Sequence, residues 1–338
     1  MIKDLIIKNV LVTGGSGFIG SHFLSKCCIN FPNINFVNLD NLSYAASMKT
    51  QEHLQSFNNY SFYKTDITDL TSLQKVFDTL EFDLVVHFAA ESHVDNSISS
   101  PIEFINSNII GTYNLLQCLV SMQDNGFHPL FHHISTDEVY GSLDSTESSF
   151  TETSLFAPSS PYSASKASSD LLVEAWGTTY NLRYLITNCS NNFGPRQYLE
   201  KLIPKVILNR KDNKKIPVYG SGKNIRDWLY VEDHIDAILS LYDHGLFANE
   251  RFNIGGGHEV SNIEIIESIL EILDEDHGFS ESHNCLEYVA DRKGHDFRYS
   301  IDSSKIKAAT GWSPQKTFRE QLSNTVNWYI KNSNWWDI

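Results

Sequence analysis

The stretch "VTGGSGFIGSH" (12–22) leaves this chain few ways to fold. An apolar run, 9–13, enters it as a strand, and 18–28 leaves it with helical periodicity. Between them Gly14, Gly17 and Gly20 stand at three-residue spacing, with Phe18 and Ile19 in the same turn. Glycine there permits a tight strand-to-helix turn and lets backbone N–H groups approach a pyrophosphate at the helix N-terminus. The spacing is GxxGxxG rather than the commoner GxGxxG, and a glycine pattern alone is weak evidence. Asp40 strengthens it, because it ends the next apolar run, 34–40. A carboxylate there can accept hydrogen bonds from both hydroxyls of an adenosine ribose. It would repel a 2′-phosphate, and no Lys or Arg follows before Lys49, so the pattern favours NAD over NADP. Taken alone, Asp40 also reads as an ordinary turn residue at a strand end.

The rest of the first half repeats the alternation. Strands are expected at 34–40, 60–66, 83–89, 129–136 and 184–189, and helices at 18–28, 69–80, about 101–122 and 162–180. This order implies an α/β chain with a Rossmann-type, doubly wound parallel sheet covered on both faces. After about 190 the pattern becomes less regular, with more Pro, Gly and Asn. Residues 1–190 are therefore expected to form a dinucleotide-binding domain, to which about 228–258 returns. Residues 191–338 are expected to be mainly a smaller substrate-binding lobe over the carboxyl ends of the strands. Asp66 and Ile67 end the third strand and suit an adenine edge; Ala89 and Ala90, after the fourth, are small enough for a dinucleotide to lie against.

Composition narrows the partners. The 338 residues are 41% hydrophobic with a net charge of −15. That charge argues against nucleic acid, whose binding is dominated by cationic contacts to phosphate. No segment approaches the roughly 20 apolar residues of a membrane span. The opening "MIKDLIIKNVLVTGG" lacks a small-residue cleavage site and reads as the first strand. Five cysteines without regular spacing imply a reducing, cytoplasmic setting and no disulfide framework. No Cys/His ligand set is present, so no metal is expected.

"YSASK" puts Tyr162 and Lys166 four residues apart on one helix face. A free tyrosine, with a pKa of about 10, is a poor base at neutral pH. A nearby ammonium and a positively charged nicotinamide ring both favour its phenolate. Tyr162 could then take a proton from an alcohol as its hydride leaves. Such chemistry does not need the adjacent carboxylates of "STDEVY", Asp137 and Glu138, which follow Thr136 at the end of the fifth strand. Two close carboxylates share a proton readily, so one can start as acid and the other as base. That is what an elimination beside a freshly formed ketone requires: a base for the acidified C–H and an acid for the departing hydroxyl. The plain alternative is a solvated turn holding two acids.

The glycine turn, Asp40, Thr136 and the Tyr162/Lys166 pair resemble the extended short-chain dehydrogenase/reductase family. Within it, "STDEVYG", "SPYSASKASSD", "CSNNFGP", "EKLIPKVI", "RDWLYVEDH" and "DRKGHD" are similar, in order from about residue 9 to 312, to the dTDP-glucose 4,6-dehydratases. The resemblance implies a lyase that holds NAD throughout its cycle and carries out no net oxidation. C4 of the sugar is oxidised, water leaves across C5 and C6, and the hydride returns to C6. It further implies Tyr162 as the C4 base supported by Lys166 and Thr136, Glu138 as the C5 base and Asp137 as the acid. Ser107 and Asn192 match cofactor contacts. Ser92, Asn191, Lys201, Leu202, Arg226, Asn262, Arg292 and His295 match substrate contacts, with Pro217 to Tyr219 near the nucleobase. A homodimer through the helices at 101–122 and 162–180 is implied too, as is a place in deoxysugar biosynthesis such as the route to rhamnose.

Alternatives stay open at this point. Arg226 could simply pair with Asp227, and His295 with Asp296. Asn41 stands where the family usually has Lys, Ser107 where it has Thr, and Leu199 and Lys293 where it has Pro. These departures bear on the nucleotide, so a UDP-glucose 4,6-dehydratase remains a rival. A 4-epimerase would not need Asp137-Glu138, and a UDP-glucuronate decarboxylase carries Ser-Glu there. A non-catalytic nucleotide-sugar sensor would be expected to have lost part of the catalytic set.

Overall fold

The computed structural model describes residues 6–279 and 285–336. Residues 1–5 of the opening run lie outside the described residues; the first strand is Asn9–Thr13. Seven strands form the main sheet in the order 250–254, 183–189, 130–136, 84–87, 9–13, 35–40, 60–64. Every neighbouring pair is parallel, as the alternation implied.

Both faces of the sheet are covered. Val10 and Val12 pack with Phe23, Leu24 and Ile238 of the helices Phe18–Asn30 and Val231–Asp243. Leu11, between them in sequence, points to the opposite face with Leu73, Leu115 and Val173 of the helices Leu70–Thr79, Thr112–Asp124 and Pro161–Tyr180. Burial on both faces is why these strands read as continuous apolar runs rather than alternating ones. Register is fixed by the same packing, since a one-residue slip would exchange the faces.

The order of the sheet creates the site. From 9–13 the chain builds outward through 35–40 and 60–64, then returns to place 84–87 on the other side of 9–13. The crevice outside the carboxyl ends at that reversal is where such sheets bind ligands. Strand 130–136 pairs with 183–189 up to Thr136 opposite Cys189, whereas 84–87 stops opposite His133. Ile134 to Thr136 therefore overhang their neighbour on one side.

Helix Pro161–Tyr180 begins with Ser160 and Ser163 capping each other, has Pro161 in its first turn, and ends at left-handed Asn181. The long helix expected at 101–122 is divided: Pro101–Phe104 is α-helical, Ile105–Gly111 π-helical, and Thr112–Asp124 α-helical again.

Beyond 190 the chain is more regular than its composition suggests. Strand 250–254 forms one edge of the main sheet. Strands 191–193, 225–230 and 259–261 form a second sheet, and 216–219 pairs with 286–289. The helices Leu202–Lys211, Asn262–His277 and Phe318–Lys331 enclose a separate core around Phe193, Ile207, Ile269 and Val326. Strands of three to six residues broken by Gly and Asn are too short to show a clear period, which hid this order.

Candidate active site

A cleft of about 420 Å³ opens at the reversal of strand order. Gly14, Gly17, Phe18, Ile19 and Gly20 line it, with Asp40, Asp66, Ile67, Ala89, Ala90, Ser107 and Asn192. Gly14 lies at φ +71, and a Cβ there would sit 2.6 Å from the backbone nitrogen of Ala89. The strand ends approach each other as closely as they do only because this residue has no side chain. A Cβ on Gly20 would collide with the carbonyl of Gly14, so that glycine permits the helix to pack on the turn. The helix starts at Gly17 with no side-chain cap, leaving its first N–H groups available to an anion. Asp40 accepts from the backbone N–H of Ser16 at 2.9 Å and of Leu42 at 2.8 Å, which fixes its carboxylate at the strand end. A cradle that any Cβ would fill, an uncapped helix start and a fixed ribose-level acid together fit a dinucleotide.

The catalytic candidates meet at the other end of the same cleft, whose wall includes Thr136, Asp137, Glu138, Tyr162 and Lys166. Thr136 ends its strand and caps a short 3-10 turn, Asp137–Tyr140. Its hydroxyl lies 3.2 Å from Asp137 Oδ1 and accepts from the Glu138 N–H at 3.3 Å. Lys166, buried, donates from Nζ to the carbonyl of Ile134 at 2.9 Å. Phe104 packs edge-on against the Tyr162 ring at 6.2 Å.

Protonation follows from burial. Burial, then the Glu138 carboxylate, pushes the Tyr162 phenol well above its ordinary range. Burial also lowers Lys166 to about 8, against the pull of Asp170. The protein's own groups thus hold the pair nearer neutrality than the spacing alone suggests. Asp137 is 1% exposed, and burial followed by repulsion from Glu138 pushes its carboxyl well above the usual range. Burial raises Glu138 too, but Arg226 and Lys201 oppose it. The shared proton therefore rests more readily on Asp137, leaving Glu138 the better base.

Of the substrate-side candidates, Ser92, Asn191 and Lys201 line the cleft, and Lys201 Nζ donates to the carbonyl of Ser92 at 2.8 Å. The side-chain oxygen of Asn191 and one oxygen of Asp137 are buried without a hydrogen-bond partner among the described residues. Unpaired buried acceptors on a cleft wall are a cost that a bound donor removes. Leu202, Pro217, Tyr219, Arg226, Asn262, Arg292 and His295 are not among the lining residues. They sit on strands 216–219 and 225–230, at two helix starts and in the 290–298 segment, with Arg226 and Arg292 near enough to act on the Glu138 carboxylate. The two simple pairs open in the sequence are absent among the described residues. Arg226 stacks over Tyr299 at 4.3 Å and donates to the carbonyls of Ile225, Asp296 and Phe297. Asp227 instead accepts from the backbone of Gly256 and His258. His295 lies 2.7 Å from Asp291, not Asp296. Arg292 bonds Asp95 at 2.5 Å and stands 5.6 Å from the Tyr219 ring.

Comparison with known proteins adds a second line. The family model described as GDP-mannose 4,6 dehydratase matches residues 11–325. The dTDP-glucose 4,6-dehydratase of Neisseria meningitidis serogroup B is 47% identical, covering 98% of this chain and 95% of its own. The chain belongs to the dTDP-glucose 4,6-dehydratase family. Solved members of that family superpose closely. The Bacillus anthracis enzyme in complex with NAD gives a TM-score of 0.87 at 41% identity, over 98% of this chain and 99% of that one. The Streptomyces venezuelae enzyme with NAD and TYD bound gives 0.88 at 42%, over 97% and 99%.

Against this family background the structure brings in residues that the sequence did not single out. Glu91, Cys189, Tyr198 and Glu200 also line the cleft. Tyr44 donates to Glu200 Oε1 at 2.9 Å, tying the loop after Asp40 to the segment that carries Lys201. Tyr299 approaches Glu138 at 3.5 Å while bonding Asp296 at 2.5 Å. Cys189, Tyr198, Glu200 and Tyr299 sit in or beside motifs quoted above, while Tyr44 follows Asp40 by four residues and Glu91 follows Ala90, but only the fold gathers them.

Proposed function

We propose that this protein converts dTDP-glucose to its 4-keto-6-deoxy product as an NAD-dependent hydro-lyase. The observation that carries this is the adjacent pair of Asp137, buried, and Glu138, half-buried, on the same cleft wall as Thr136, Tyr162 and Lys166. A dehydrogenase or epimerase has no use for an acid and a base side by side; a dehydration needs both.

NAD fits the glycine cradle and Asp40, and when bound it supplies a hydride acceptor at C4, a donor at C6 and a positive ring beside Tyr162. Tyr162 takes the proton from the C4 hydroxyl, and the Lys166 ammonium behind it favours the phenolate. Thr136 orients that hydroxyl. Glu138, kept the better base by Arg226 and Lys201, removes the C5 proton. Asp137, kept protonated by burial, gives its proton to the C6 hydroxyl, which leaves as water. The atoms balance: the hydride equivalent moves from C4 to C6, Glu138 gives its proton back to C5, and the C4 hydroxyl proton taken by Tyr162 offsets the one Asp137 gives to the departing hydroxyl, so the sugar loses one water.

The cationic group of Arg226, Arg292 and His295 supplies a local positive field for a nucleoside diphosphate in a chain of net charge −15. In this reading residues 1–190, with the returning segment around 228–258, hold the cofactor, and the later residues hold the nucleotide. Two copies associate through the helices of 101–124 and 161–180, whose outer faces expose Ile102, Ile105, Ile110, Tyr113 and Leu171. A cytoplasmic setting suits cysteines that are buried or half-buried with no disulfide among the described residues. No helix among the described residues is long and apolar enough to cross a membrane.

The test is mass spectrometry of dTDP-glucose and UDP-glucose incubated separately with the purified protein and no added NAD. A product lighter by one water, formed faster from dTDP-glucose, supports the proposal. No loss of water from either sugar, even after NAD is added, refutes it.

A further inference from the structure

Three consecutive carbonyls at the end of strand 130–136 are each held by a side chain from outside that strand. Lys166 Nζ holds Ile134 at 2.9 Å, Cys189 Sγ holds Ser135 at 3.3 Å, and Asn188 Nδ2 holds Thr136 at 2.9 Å. Lys166 has a chemical role already. Asn188 has none, yet it is fully buried in a strand where an apolar residue would be ordinary.

Its amide is fixed at both ends. Asn188 Oδ1 accepts from Arg251 Nη1 at 2.6 Å, and Asn188 Nδ2 also meets Asp170 Oδ2 at 3.2 Å. Arg251 Nη1 bonds the same Asp170 oxygen at 2.6 Å, and its Nη2 reaches Glu174 at 2.8 Å. Asp170 lies one helical turn beyond Lys166, and His133 stands 3.2 Å from its other oxygen. Asp170, Asn188 and His133 are wholly buried, and Arg251 is 8% exposed.

Stability explains this cluster poorly. Replacing a buried ion pair by apolar residues of similar shape is often neutral or favourable, so its presence calls for another reason. The geometry points to one. Ile134 to Thr136 have no strand partner on the 84–87 side, so their position depends on what holds them from the other. Thr136 in turn bonds Asp137 and the backbone of Glu138, so a tilt at its carbonyl reaches both acids. We propose that Asn188, clamped by Asp170 and Arg251, is a positioning residue that aims Thr136 and Asp137 at the sugar. The inference rests on the catalytic reading given above.

The experiment compares Asn188→Ala and Arg251→Lys holoenzymes with the parent. It measures melting temperature, retained NAD, kcat, KM for dTDP-glucose, and the isotope effect with C4-deuterated substrate. A displacement of about 1 Å at reacting groups costs on the order of 10²-fold. The expected result is a kcat loss of about ten- to a hundredfold with a changed C4-deuterium effect, larger than the parent's where Thr136 is displaced and smaller where Asp137 is displaced and loss of water limits, while KM and NAD content stay within about twofold. A folded variant with kcat near the parent's overturns the proposal, and so does a kcat loss with an unchanged isotope effect. Should Asn188→Ala not fold, Arg251→Lys carries the same readings, since it keeps the charge beside Asp170 but loses the planar fork. Failure of both to fold assigns the cluster to stability and overturns the proposal. The parent is assayed first: if it forms no 4-keto-6-deoxy product, the catalytic reading has failed and not this one.

Discussion

Two glycines with nearly the same φ separate conformational freedom from close approach. Gly14 lies at φ +71 and Gly257 at φ +70, so alanine at either is forced into the left-handed region. That costs roughly 1–2 kcal/mol. Around Gly257 an added Cβ meets nothing within 4 Å. At Gly14 it would stand 2.6 Å from Ala89 N and 2.7 Å from Ala89 Cα, atoms of a backbone that cannot turn aside as a side chain could. Overpacking of this kind adds about 1–3 kcal/mol. Gly257→Ala should therefore lose about 1–2 kcal/mol, and Gly14→Ala about 2–5 kcal/mol. The excess falls on Ala89, which lines the cofactor cleft, so only Gly14→Ala should also lose bound NAD. Urea unfolding and the NAD retained after gel filtration measure both. Equal destabilisation of the two variants, or full NAD retention in Gly14→Ala, would refute the close-approach argument.

Other expectations follow from the same geometry. Tyr162→Phe removes the C4 base and should lower turnover by roughly 10²–10⁴-fold, read as loss of product in a stopped time course. Glu138→Gln should block loss of water while C4 oxidation continues, visible as reduced-cofactor absorbance on mixing with substrate; full dehydration by this variant would break the assigned roles. His22, His87, His132, His133 and His234 are buried, and burial lowers each: His22 and His234 to about 3, His133 to about 4, the others well below the ordinary value. They stay neutral when folded but take up protons near pH 6.5 when unfolded. Their stabilisation is whole above that pH and falls below it, by up to about 1.4 kcal/mol per pH unit for each imidazole. Urea midpoints should thus drop between about pH 6.5 and 4, and a flat profile there would contradict the account.

The sequence reading went furthest where chemistry demanded residue types at fixed spacing. The glycine turn, Asp40, the Tyr162/Lys166 pair and Asp137-Glu138 all line one cleft, because strand ends at a reversal of sheet order have nowhere else to converge. It was poorest where spacing carries no period. The π-helical turns at Ile105–Gly111 break an otherwise helical pattern, and Asn108 there bonds the backbone of Glu91 and the hydroxyl of Ser165. No 3.6-residue repeat announces such a turn. Two signals at the site were present but unread. Asn188 interrupts an apolar strand with an amide, and Asp170 follows Lys166 by one turn on the same face. A buried polar side chain needs a partner, so both positions pointed to a network before any contact was known. Arg226 and His295 could not be placed from sequence, since their neighbours in the chain are not their partners in space.

The most direct test follows a deuterium label. dTDP-glucose carrying deuterium at C4 is turned over by the purified protein without added NAD, and the product is read by proton and deuterium NMR. The account predicts a 4-keto product whose C6 methyl carries the deuterium lost from C4. A methyl group free of that label, or release of the label to water, would contradict it.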